Sequence, residues 1–176
     1  GELSSGRRAA DALASPDAAR AAARVGAAVD DTAGGCALGV AEATAAFLLA
    51  WDGRLRTSRL DPGVHVVVNV GAALGGGGAV RDRFFVPEDR RAAAERQAEG
   101  ARALRGLLTP EPGESAADWF DRAAVALGDH EFGVCVHGDG FATRSSSLIA
   151  VGERSSYRFA DGPPCETPHR RVDEQI

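Results

Sequence analysis

A run of β-branched residues, Val64-His65-Val66-Val67-Val68-Asn69-Val70, is entered through the turn sequences Asp52-Gly53 and Asp61-Pro62-Gly63, and it limits the fold more than any other part of this chain. β-Branched side chains crowd a helix at χ1 and pack well on a pleated surface, so the run reads as a strand. Asp-Gly suits a two-residue hairpin, and Pro-Gly marks a second reversal, so apolar segments on either side of each turn pair antiparallel. Residues 36–40 and 46–51 are the apolar segments upstream, and residues 55–60 lie between the turns. The pattern predicts a meander of four strands.

Helical spacing flanks this meander. Residues 5–14 form one predicted helix, and Ser15-Pro16-Asp17 supplies the cap and first turn of a second that runs towards Val29. After Pro87, Ala94, Ala98, Ala101, Leu104, Leu107 and Leu108 make an apolar stripe against Glu95, Arg96, Glu99 and Arg102. Thr109-Pro110-Glu111-Pro112-Gly113 ends that helix, and residues 115–127 form another with Trp119, Phe120, Ala123, Ala124 and Leu127 inward. Three further strands follow, at 133–137, 143–151 and 157–159. Two helices, four strands, two helices and three strands, with no internal boundary, predict one layered α+β domain with mainly antiparallel sheet.

Composition enters through what it excludes. The formal net charge is −5, which offers no electrostatic case for nucleic acid. No apolar run reaches the roughly 18 residues of a membrane-spanning helix, so membrane insertion is not expected. Three cysteines, Cys36, Cys135 and Cys165, are too few and too widely spaced for a disulfide framework, so a reduced cytoplasmic setting is expected. Every basic residue is Arg, with no Lys and no Met, a composition that fits a GC-rich genome. The missing start residue predicts a mature or truncated chain.

The chemistry-bearing residues concentrate between His130 and Val151. Cys135 and His137, two apart on the expected strand, would point the same way. A structural zinc site takes four ligands, however, and Cys36, Cys165, His65, His130 and His169 have no ligand-like spacing, so strand packing is the preferred reading and no metal is expected. Leu74-Gly75-Gly76-Gly77-Gly78 lacks the Gly-Lys-Ser/Thr ending of a phosphate loop and reads as a surface loop. Thr143, Ser145 and Ser147 fall on one face of the next strand, with Arg144 and Ser146 on the other. Arg144 can hold a carboxylate or phosphate through two parallel hydrogen bonds, or it can form a structural ion pair. Asn69 can donate to a developing oxyanion, or it can close the turn into Gly71.

Phe132 to Ser147, together with Gly63 to Asn69, Gly1-Glu2-Leu3 and Asp161-Gly162-Pro163-Pro164-Cys165, resemble the carboxyl-terminal two-thirds of the NRDE proteins, the transport-and-Golgi-organisation family. The likeness is to the shorter halophilic archaeal members, it runs through nearly all of residues 1–176, and Thr143-Arg144-Ser145-Ser146 is its specific core. The resemblance implies an αββα sandwich similar to the N-terminal-nucleophile (Ntn) hydrolases, incomplete here at the amino terminus. It implies an amino-terminal cysteine nucleophile, which this sequence lacks, and hydrolysis of non-peptide amide bonds. It further implies Asn69 as oxyanion donor and Arg144 as a second catalytic residue facing the nucleophile or the substrate, with Thr143 and Ser145 binding a small-molecule ligand. Val68 stands where the family has a serine. The alternative it carries is a non-catalytic protein that binds haem, acyl-coenzyme A or a related lipid metabolite, with no other cofactor.

Overall fold

The computed structural model describes residues 5–29, 36–68, 71–73, 80–83, 88, 91–138 and 142–173. The amino-terminal helices are α1 (Ser5–Leu13) and α2 (Ala18–Ala27). Asp17 caps α2, its carboxylate accepting from the Arg20 amide at 2.7 Å, so the cap falls at the end of the Ser15-Pro16-Asp17 sequence and the helix starts later than expected. Three antiparallel strands follow, β1 (Cys36–Glu42), β2 (Ala45–Trp51) and β3 (Leu55–Arg59), in the order β1-β2-β3. Leu48, Leu49, Ala50 and Trp51 are all buried, so the central strand is covered on both faces. Leu49 joins Ala12, Ala21, Ala22 and Val25 in a core of its own beneath α2, with Leu38, Val40, Phe47 and Leu55 around it.

The fourth strand of the expected meander lies elsewhere. Strand β4 (Val66–Val68) pairs not with β3 but with β5 (Gly71–Ala73), which pairs with β6 (Val80–Arg83) in a second three-stranded sheet. The connection explains the departure. Gly63 takes a φ of 139°, the His65 ring is hydrogen-bonded to the Asp61 carbonyl at 2.7 Å, and Arg105 donates to the Val64 carbonyl at 3.1 Å. The chain is thereby drawn off the first sheet and onto α3 (Arg91–Leu107).

Helix α3 and helix α4 (Ala116–Gly128) build the larger core from Leu104, Leu108, Phe120, Ala123 and Ala126, closed by Leu148. The predicted stripe of α3 holds except at Leu107, which is 43% exposed because it projects to one side of the line through Ala101, Leu104 and Leu108. Ser115 caps α4 by accepting from the Asp118 amide. Trp119 donates to the Leu108 carbonyl at 2.8 Å, and Arg122 donates to the Leu107 and Thr109 carbonyls and to both Glu114 oxygens. The carbonyls left open at the end of α3 are thus satisfied from α4.

The last sheet contains β7 (Ser146–Ala150), β8 (Ser156–Ala160) and β9 (Arg170–Arg171), all antiparallel, with β8 central. Residues 133–137 do not form the expected strand. The Gly133 amide closes a turn on the His130 carbonyl at 3.1 Å, Gly133 has a φ of 65°, and Asp129 accepts from the Glu131 amide at 2.8 Å. Period-two alternation correctly found an apolar segment there, but the turn ends ladder pairing. Helices combined with antiparallel sheets make this an α+β protein, and no described helix is long and apolar enough to cross a membrane.

Candidate functional site

The turn after α4 carries His130 and Cys135, and the extended residues beyond it carry His137. Thr143 fixes this segment. Its amide donates to the Val136 carbonyl at 2.9 Å, its hydroxyl donates to the Val134 carbonyl at 3.0 Å, and the hydroxyl accepts from the Val136 amide at 3.0 Å. Both backbone neighbours of Cys135 are held by one side chain. Phe132 and Val134 pack on the larger core, and Cys135 is buried at 2% exposure.

Cys165 reaches the same point from a different direction. Pro163 accepts from the amides of Glu166 and Thr167 at 3.0 and 2.8 Å, which makes a tight turn around Cys165. This turn lies directly on the end of α4, where a Cβ added to Gly128 would meet the Pro164 carbonyl oxygen at 3.1 Å and Cys165 Cα at 3.4 Å. A side chain at 128 would press on this turn, so glycine favours the close approach.

The result is a cluster of two imidazoles and two thiols. The Cys135 sulfur lies 3.8 Å from His137 Nε2, which lies 3.0 Å from the Cys165 sulfur. The His130 and His137 rings stack with centroids 5.1 Å apart, and one donor atom from each of His130, Cys135, His137 and Cys165 lies within 4.8 Å of every other. Cys135 is buried while the other three are exposed. The Cys165 thiol is pushed above the ordinary cysteine value, first by the partial withdrawal of its sulfur from water, then by Cys135, with a smaller contribution from Glu166.

The expected strand over 143–151 begins only at Ser146, leaving residues 142–145 extended but outside the ladder. Thr143 is half-buried and spends its hydroxyl on backbone, whereas Arg144 and Ser145 are exposed. No ion pair joins Arg144 to another described residue, so the structural-pair reading of that side chain has no support among them. Asn69 and the glycine run 74–78 lie outside the described residues.

A second polar contact escaped sequence reasoning. Ser146 Oγ and His169 Nε2 are 2.9 Å apart, joining β7 to the residue before β9. Burial, followed by the positive charge of Arg158, holds His169 below the ordinary histidine value. A histidine depressed in the folded state adds stability above its unfolded pKa of about 6.5, and that stability is lost as pH falls through the folded value. We therefore expect the melting temperature to fall as pH drops below about 6.5, and His169→Gln to flatten that limb in a thermal-melt series. An unchanged slope in the variant would count against this assignment.

His130 and Cys165 were missed as partners of Cys135 and His137 because they have no common spacing; His137 and Cys165 are 28 residues apart. Only the Cys-x-His pair was a local signal. His169 sits in a tail whose sequence offers no periodicity, so nothing in the pattern pointed to Ser146.

Fold and site together define an α+β protein with three small antiparallel sheets and a Cys/His cluster at the end of its last long helix. No family model, no curated protein and no solved structure matches this chain.

Proposed function

We propose that this chain is an NRDE-type protein with an Ntn-hydrolase-like layered fold, acting on a small anionic metabolite that carries a non-peptide amide bond. The observation that carries the reading is the contrast at 143–144. Thr143 is bound to backbone on both sides of Cys135, and the adjacent Arg144 is exposed. The planar fork of a guanidinium matches a carboxylate or phosphate through two parallel hydrogen bonds. Ser145, also exposed, stands beside it as a second donor. In this reading Asn69 donates to the oxyanion and an amino-terminal cysteine attacks the amide carbonyl.

The non-catalytic alternative, binding of acyl-coenzyme A or a similar lipid metabolite, has one observation of its own. An apolar groove of about 600 Å³ runs between β1 and the α1–α2 turn, lined in part by Leu13, Leu38, Val40, Ile149 and Val151. Leu13, Ile149 and Val151 are 87%, 62% and 55% exposed. In this alternative the acyl chain would occupy the groove while Arg144 holds the anionic group.

Titration with acyl-coenzyme A, with haem and with short-chain N-acyl amino acids separates the readings. Arg144→Ala should weaken anion binding roughly 10- to 100-fold, the magnitude of a lost charge-assisted pair, while leaving the melting temperature unchanged. Ile149→Asp should weaken only the acyl ligand. Turnover of an amide by the chain carrying an added amino-terminal Met-Cys segment, abolished by Cys→Ala, supports hydrolysis. Saturable acyl binding without turnover supports the alternative, and equal affinity in wild type and Arg144→Ala would overturn both.

A further inference from the structure

We propose that His130, Cys135, His137 and Cys165 form a four-ligand site for a divalent cation of the zinc class. Such a cation would tie the Pro163–Thr167 turn to the loop that follows α4. The inference is independent of the ligand reading above.

The donor set points to this chemistry. Two sulfurs and two imidazole nitrogens are the ligands of tetrahedral structural zinc sites, and they are poor ligands for calcium or magnesium, which take oxygen. Zinc–ligand bonds of about 2.0 to 2.3 Å give tetrahedral edges of about 3.3 to 3.8 Å. The Cys135–His137 separation of 3.8 Å already has that scale, and the His137–Cys165 separation of 3.0 Å is slightly shorter. With every donor pair within 4.8 Å, the widest edge closes by about 1 Å. His130, His137 and Cys165 are exposed side chains, and their rotamers are the freedom available for that closure.

The alternative is ordinary packing of a buried thiol against exposed neighbours. Packing accounts for Cys135, which is 2% exposed and flanked by core residues. It does not account for three exposed side chains that converge on that sulfur from two separate segments when each has water available. Two contacts hold the backbone that carries the sulfurs. Thr143 holds the backbone on both sides of Cys135, and the close approach of Gly128 seats the Cys165 turn. Four protein ligands leave no open position, so the ion is structural rather than hydrolytic. Binding is balanced by proton release: one divalent cation replaces the two thiol protons, which pass to solvent, and both imidazoles bind neutral.

The test uses the full chain, reduced and stripped with a chelator, then titrated with zinc against a chromophoric competitor and, separately, with cobalt. The expected result is one equivalent per chain, a raised melting temperature, and the visible bands of tetrahedral cobalt with near-ultraviolet thiolate charge transfer. Cys165→Ala and His130→Ala replace exposed side chains and should leave the apo fold intact. Each should lower zinc affinity by at least about 100-fold, beyond the roughly 10- to 100-fold typical of outer-shell partners, and Cys165→Ala should weaken the charge-transfer band. No saturable binding, or equal affinity and an equal cobalt spectrum in Cys165→Ala, overturns the proposal. A Cys135–Cys165 disulfide that persists under the reducing conditions also overturns it.

Discussion

Phe120→Ala lowers the stability of the folded chain by about 3 to 5 kcal/mol, read as a shift of the denaturant midpoint at constant slope. Phe120 is 3% exposed and stands at the centre of the larger core, against Leu104, Leu108, Ala123, Ala126 and Leu148. Truncation removes the ring and leaves a cavity lined by two helices and a strand, none of which can collapse into it without losing register. The loss extends beyond area. Trp119 lies 5.9 Å away in a tilted arrangement, and the Arg158 guanidinium stands 5.4 Å over the ring. A cation over an aromatic face contributes roughly 0.5 to 1 kcal/mol at such partly exposed sites. Against a typical total of about 5 to 15 kcal/mol, the substitution removes a fifth or more of the stability, with a fall in melting temperature of around 10 °C. A shift no larger than that of a surface substitution, roughly 0.5 kcal/mol, would remove Phe120 from the centre of the core.

Gly100→Ala is the second large effect, and its sign opposes helix propensity. In an exposed helix interior, replacing glycine by alanine stabilises by about 1 kcal/mol. Gly100 is buried where α3 meets the loop after α4, and an added Cβ would fall 2.8 Å from the Phe132 carbonyl carbon and closer still to its oxygen. The obstacle is backbone, not a side chain that could rotate away. Either α3 or the loop must shift, and forced shifts of that kind typically cost about 1 to 3 kcal/mol. We expect a net loss of up to about 2 kcal/mol, and a melting temperature lower by roughly 4 to 8 °C. Because Phe132 leads into Cys135, the variant should also weaken the proposed cation site. A Gly100→Ala protein more stable than wild type would show that the close approach is not maintained in solution.

Residues whose role is decided by their near neighbours were legible in the sequence. The start of α2 near Ser15-Pro16-Asp17, the stripe of α3, the inward aromatics of α4 and the hairpin at Asp52-Gly53 all depend on contacts within a few residues. The error at β4 arose from tertiary override. Nothing in Val66-Val67-Val68 reports that Arg105, 41 residues on, holds the Val64 carbonyl. The error at 133–137 has a different origin, because alternating burial is shared by strands and by extended loops wedged against a core. The site was the least legible part. Its Cys-x-His half could be read, but the convergence of His130 and Cys165 depends on the length of α4 and on the close approach at Gly128, neither of which leaves a mark on local spacing.

The two separate cores give the molecule uneven resistance to opening. Among the described residues the core beneath α2 is built from Ala12, Ala21, Ala22, Val25 and Leu49, whereas the core between α3, α4 and β7 contains Leu104, Leu108, Phe120 and Leu148. Methyl groups remove little apolar area from water, so α1 and α2 have the smaller driving force for staying seated on their sheet. Local opening is therefore expected to begin with these helices, with amide protons of α2 exchanging ahead of those of α4 in a hydrogen-exchange series. The Cys/His cluster stands on the other core, and detachment of α2 leaves its donors in place.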